Sequence, residues 1–241
     1  MTSHHPDAMC DGGDLDCGSG LLLIIKKHMD PLAKGKVLEV RSTDRTVADD
    51  LPAWCRMVKH EFLGSEKTET YTRYFVKKGG AEESSNLDED LEAAKGYEWT
   101  VRGQMEEGLK AKMHSRNHTI FAGQPADFSQ QVEAPSAMDY LIASLNACLS
   151  VGFKSIASRK KVIIDQMELT LKGKLNNVLY HLGIENTGDP SVQEITGSFY
   201  VTSPNEDEEI EEVWKLTLDR SPVYQTLVKN TNINIRLSIV Y

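Results

Sequence analysis

No apolar run in this chain approaches the roughly 20 residues a membrane-spanning helix needs, and no positively charged start leads into an apolar segment. A membrane partner is therefore not expected. Basic charge is also short. The 27 Lys and Arg are outnumbered by 36 Asp and Glu, for a formal net charge of -9, and phosphate backbones need a basic face, so nucleic acid is not an expected partner. Internal repeats are missing, as is a phosphate-cradling glycine loop, since Asp11-Gly12-Gly13-Asp14 is too short and too acidic to hold an anion. Cysteine is scarce, with four in 241 residues and each in a different context. That excludes a disulfide framework and fits a reducing, cytoplasmic compartment where thiols stay usable. Cys10 and Cys17 are not in CxxC spacing, and the ligands for a metal site are lacking. No metal and no cofactor are expected.

The length suffices for two cores of ordinary size. Between them, Val76 to Gly96 carries paired glycines, serines and six acidic residues with hardly any large apolar group. Such a stretch buries too little surface to order itself firmly. It reads as an acidic linker over 79–96, with a short helix around Leu87 to Ala94, separating a domain at 1–78 from one at 97–241.

The most informative segment is Pro135 to Lys161. Pro135 and Ser136 suit a helix start, and Met138, Leu141, Ile142, Leu145, Leu149, Gly152, Phe153 and Ile156 recur at helical spacing. Cys148 sits on that stripe, half buried by pattern, either as a small core hydrophobe or as a thiol whose local field controls its reactivity. Cys55, between Trp54 and Met57 on an apolar helix face, reads as structural. Cys10, near a disordered start, is either exposed or a partner for Cys17. His4 and His5 belong to a floppy tail. His114 and His118 alternate along a strand-like run that reads either as a solvated face or as one that brings one of them to line the site of the second half. Asn205 to Glu212 is a helix start with carboxylates near the positive dipole end.

The pattern Pro-Ser-x-Met-Asp-x-Leu, followed by a small-residue helix reaching Ala147-Cys148, resembles the OsmC/Ohr family. The resemblance extends upstream through Glu98 to Gly123, strands around a Glu-Glu-Gly turn, and downstream through ELTLKG, EITGSFYVTS and the Ser221 to Leu227 segment. It implies an antiparallel sheet with a long central helix, an intertwined homodimer, and Cys148 as the thiol that attacks a peroxide. Three departures accompany it. Ser221 stands before Pro222 where the family has a resolving cysteine, and no cysteine follows Cys148. A serine cannot form the disulfide that returns a sulfenic acid to the thiol pool. The family's activating arginine has no direct match, leaving Arg102 and Arg116, which flank the first hairpin, as substitutes. Its glutamate near the helix start is matched loosely by Asp139.

Met9 to Gly64 resembles the TusA/SirA-like sulfur-carrier family through Asp14-Leu15-Asp16-Cys17 before a helix, a Gly35 turn into Val37-Leu38-Glu39-Val40, and Leu51-Pro52-Ala53-Trp54-Cys55 on a second helix. The resemblance implies a two-layer β-α-β-α-β-β sandwich in which Cys17 carries a persulfide from donor to acceptor. At a helix N-terminus, free amides and the dipole would favour a thiolate or perthiolate. Here Cys-Gly-Ser-Gly replaces the family's Cys-Pro-x-Pro, which loosens the loop.

The chain is thus expected to be α+β in both halves. Its expected function is thiol-based redox and sulfur handling, with Cys17 as persulfide carrier and Cys148 as redox thiol. The alternatives are a hydroperoxide reductase using Cys148 with an external thiol, or an OsmC-like scaffold without chemistry. Partners would be a second copy through the OsmC-like half and a sulfur donor, a sulfur acceptor or a small thiol reductant.

Overall fold

The computed structural model describes residues 5–79, 87–124 and 134–240. The chain divides into two compact units, Met1–Glu98 and Trp99–Tyr241. His4 and the linker stretch 80–86 lie outside the described residues.

In the first unit the order is β1 (Ala8–Asp11), a short 3-10 turn (Cys17–Ser19), α1 (Leu21–Met29), β2 (Val37–Ser42), α2 (Val47–Met57), β3 (Glu61–Lys67), β4 (Thr72–Lys77) and α3 (Leu87–Lys95). The sheet runs β1-β2-β4-β3, with β1 parallel to β2 and the other pairs antiparallel. This is the expected β-α-β-α-β-β two-layer sandwich.

Period-2 alternation divides the sheet's two faces. Leu38, Val40, Tyr74 and Val76 meet Leu21, Ile25 and Met29 of α1 and Val47, Leu51, Trp54 and Cys55 of α2 in one core. Each large side chain buried there stabilises the unit by about 1.5–3 kcal/mol before entropy is counted. Residues of the other register carry charge. The buried Glu39 carboxylate accepts from Arg41 Nε at 2.6 Å and from Arg73 at 2.7 Å. The Arg73 guanidinium also lies over the Phe75 ring at 5.0 Å. Hydrogen bonding from Arg73, opposed by burial, holds Glu39 below the usual carboxylate range.

The second unit holds β5 (Arg102–Met105), β6 (Ala111–Ser115), β7 (His118–Ala122), α4 (Ala137–Lys160), β8 (Gln166–Leu175), α5 (Val178–His181), β9 (Val192–Thr202), α6 (Asp207–Arg220), α7 (Pro222–Leu227) and β10 (Asn232–Val240). Strands β5-β6-β7 form an antiparallel sheet, and β10-β9-β8 form a second, mixed sheet. The expected antiparallel pairing is present at β8/β9, but β10 joins β9 in parallel. The reason is the connection: α6 and α7 stand between β9 and β10, and a crossover of that length returns the chain in the same direction.

The core packs Leu145, Leu149, Phe153 and Ile156 of α4 against Ile195, Phe199 and Val201 of β9 and Ile210, Val213 and Trp214 of α6. The Phe153 and Phe199 rings meet edge to face at 4.8 Å. One expectation is corrected here: α4 is long and apolar enough, by length and composition, to cross a membrane. Between Asp139 in its first turn and Lys154 it carries no charged residue, and its buried stripe packs into this core. The acidic start of α6, Asp207 to Glu209, is as expected.

Candidate functional site

Helix α4 begins where the sequence places it. Ser136 Oγ accepts from Asp139 N at 3.2 Å, and the Asp139 carboxylate accepts from Ser136 N at 2.8 Å, a closed capping box. Asp139, expected to support the thiol, is therefore occupied at the cap two and a half turns before Cys148.

Cys148 lies at the edge of the buried stripe, half exposed. Its Sγ is 3.0 Å from Ser221 Oγ. Ser221 is buried at the junction of α6 and α7, where its hydroxyl oxygen also accepts from Tyr224 N at 3.2 Å. One turn further along α4, Gly152 sits where an added Cβ would be 3.6 Å from Thr217 Cγ2. The two helices thus approach through small residues, and this brings residues 73 positions apart into contact. When the thiol is ionised only the serine can donate, so Ser221 is placed to stabilise a sulfur anion.

Arg102 and Arg116 are carried by the three-stranded sheet, the first on β5 and the second in the β6–β7 turn at φ 53°. His114 is half exposed, with Nδ1 3.2 Å from Thr119 Oγ1, and His118 is solvated. A groove of about 510 Å³ runs between α4 and β8, lined by Met138, Ile142, Ala143, Asn146, Ala147 and Leu171. At about 100° per residue it opens on the side of α4 opposite Cys148. Sequence reasoning missed it. Its signal was the pair of small residues Ala143 and Ala147, one turn apart on the same helix face.

In the first unit, Gly12 N donates to Arg41 O at 2.9 Å, and Gly13 O accepts from Thr43 N at 3.0 Å, tying the loop before Cys17 to the end of β2. Cys17 opens the 3-10 turn, while α1 starts only at Leu21, capped by Gly20 at φ 105°. The expectation of a dipole-favoured thiolate is corrected. Burial, then Asp50, Asp16 and Asp44, push the Cys17 thiol up to about 11. The helix dipole acts only within its first turn, and Cys17 precedes that turn, so burial and the three carboxylates set the direction. Cys10 is neither exposed nor in a disordered start. It lies on β1, 2% exposed, and burial pushes it up to about 12. Cys55 is fully buried on α2, as expected of a structural cysteine, and is likewise pushed up to about 12. Among the described residues no His, Cys, Asp and Glu cluster could hold a metal ion.

Comparison with known proteins gives each unit a family. The family described as "OsmC-like protein" matches residues 129–236, and "Sulfurtransferase TusA" matches residues 20–78, beginning just after Cys17. The sulfur carrier protein TusA of Pseudomonas putida is 31% identical over 78 residues, which is 32% of this chain and 96% of that protein. YrkF of Bacillus subtilis, a candidate sulfur carrier protein, is 43% identical over 61 residues, or 25% of this chain and a third (33%) of YrkF. An OsmC-like protein of Mycoplasma pneumoniae shares the fold, with a TM-score of 0.52 at 20% identity over 60% of this chain and 99% of that one. The chain belongs to the TusA sulfur-carrier family through its first unit and carries an OsmC-like domain behind it.

Proposed function

We propose that the chain handles sulfur and redox equivalents through two thiols, Cys17 as a persulfide carrier and Cys148 as a redox thiol. The observation that carries the reading is the pairing of Cys148 Sγ with Ser221 Oγ at 3.0 Å. It supports a sulfur that is held and polarised but has no second thiol in its own domain to close on. A group bound to Cys148 would then leave to an acceptor outside that domain, as group transfer requires.

At Cys17 the step is thiolate attack on the outer sulfur of a donor persulfide, which gives Cys17–S–SH and leaves the donor as thiolate. Because Cys17 titrates near about 11, few of its thiols are ionised at neutral pH. A donor that brings basic groups over Asp16, Asp44 and Asp50 would relieve this. The perthiol is the more acidic form, so the loaded carrier would hold its charge where the empty one does not.

A second reading, hydroperoxide reduction at Cys148, draws support from the same pair. The thiolate would attack the peroxide oxygen, leaving Cys148–SOH and an alcohol, and an external thiol would restore it through a mixed disulfide and then a symmetrical one. The exposed face of α4, with Val151 69% exposed, supports association with a second copy through the OsmC-like unit. Thiol chemistry of either kind fits a reducing, cytoplasmic compartment.

The deciding experiment exposes the reduced chain to a cysteine desulfurase with cysteine, and separately to an organic hydroperoxide. Sulfur at Cys17 supports the first reading. Saturable consumption of peroxide by Cys148, without sulfur uptake at Cys17, supports the second.

A further inference from the structure

Cys55 takes no part in the chemistry above, but it shares its core with Cys17. Cys17 packs against the core cluster that contains Cys55, and α2, which carries Cys55, contacts the turn that carries Cys17. After burial, the strongest influence on the Cys55 thiol is the charge of Cys17. Cys10, the other buried thiol of this core, answers instead to Asp11 and Glu39. Glycines flank the Cys17 turn. Gly20 has open space where a Cβ would sit, the corresponding position at Gly18 meets only Asp16 Oδ1 at 3.4 Å, and no side chain caps α1. A disulfide needs Cα atoms about 4.4–6.8 Å apart, and a glycine-flanked turn can adjust to that.

We propose that Cys55 is the resolving thiol of Cys17, which discharges an uncollected persulfide as hydrogen sulfide; this rests on the carrier reading of Cys17. The Cys55 sulfur attacks the inner sulfur of Cys17–S–SH, so the Cys17–Cys55 bond forms as the sulfur–sulfur bond of the persulfide breaks. The leaving hydrosulfide takes the proton Cys55 gives up. The Cys17 persulfide and the Cys55 thiol become a disulfide and hydrogen sulfide, with no outside oxidant. Burial shields Cys55 from small electrophiles, so the sulfur on Cys17 is the one it meets. A buried, protonated thiol attacks slowly, so a carrier that meets its acceptor promptly delivers its sulfur, and one left waiting unloads and locks.

The test has two arms, both in the full chain carrying Cys148→Ser. An aromatic disulfide reagent first caps Cys17 and releases one coloured thione. Closure by Cys55 then releases a second and leaves a Cys17–Cys55 linked peptide. Cys55→Ala should keep the cap, with Cys55→Val carrying the comparison if Ala fails to fold. In the second arm, cysteine desulfurase and cysteine load Cys17, the donor is removed, and free sulfide is followed. The chain with Cys55 should release sulfide at least about tenfold faster than the variant. A retained cap in the presence of Cys55, or equal sulfide release with and without it, would overturn the proposal. If the reagent arm closes but Cys17 takes no sulfur from the desulfurase, the carrier reading fails and persulfide discharge falls with it, leaving a disulfide-forming pair.

Discussion

Cys148 Sγ and Ser221 Oγ stand 3.0 Å apart although 73 positions separate them in the chain. The contact exists because α6 ends at Ser221 and α7 begins with Pro222, a corner that delivers the serine to the exposed edge of the α4 stripe. A hydroxyl and not a second thiol faces Cys148 at this contact, so no disulfide can close there.

Ser221→Cys should therefore convert the site. Treatment with hydroperoxide or a mild oxidant is expected to join residues 148 and 221, read as the loss of two hydrogens in intact mass and as one linked peptide. Free thiols at both positions after oxidation would show that the Sγ–Oγ contact does not set the spacing of a sulfur pair.

Asp139 acts on the fold and not on the thiol. Asp139→Ala opens the capping box and should lower the stability of the second unit by about 0.5–2 kcal/mol. The alkylation rate of Cys148 should stay within about twofold of the parent, since the carboxylate is already committed to the Ser136 backbone. Unchanged unfolding midpoints together with a large change in alkylation would reverse this assignment.

Burial first, and then the carboxylates around it, hold the Cys17 thiol up. Asp50 is the first of the three charges that push the thiol up, and removing a negative neighbour favours the thiolate. Asp50→Asn should speed iodoacetamide labelling of Cys17 at pH 8 by roughly 2–10-fold. Raising the salt concentration should shrink the difference. Slower labelling in the variant would contradict the electrostatic account.

Alkaline pH should weaken the first unit. Cys10 and Cys55 are each raised from 9.0 to about 12 when folded. Above pH 9 the unfolded chain releases thiol protons that the folded chain keeps. Their contribution to stability is therefore fully present below pH 9 and is lost as pH rises toward 12. Denaturant midpoints should fall across that window, and Cys10→Ala should flatten the fall even though it lowers stability at neutral pH. Parallel slopes in parent and variant would show that the Cys10 thiol does not carry the effect.

Local chemistry was legible in the sequence. The Ser136 cap, the α4 stripe and the acidic start of α6 depend on neighbours within a turn or two, and the structure holds all three. Cys10 was misread because the glycines after it suggested a disordered start. Ala8, Met9 and Cys10 are all apolar, so no polar alternation marked the strand that exposes Met9 and buries Cys10. What surrounds Cys17 was not legible, because Asp44 and Asp50 come from beyond β2 and their approach is a property of the packed sandwich. The parallel β9/β10 pair was hidden for the same reason, since strand direction is decided by the intervening helices and not by the strand's own residues.

The central claim is that Cys17 accepts sulfane sulfur, and intact mass after incubation with a cysteine desulfurase and cysteine tests it most directly. The account predicts the gain of one sulfur atom by the parent chain and by Cys148→Ser, and none by Cys17→Ser. Labelling of Cys17→Ser to the same extent as the parent would contradict it.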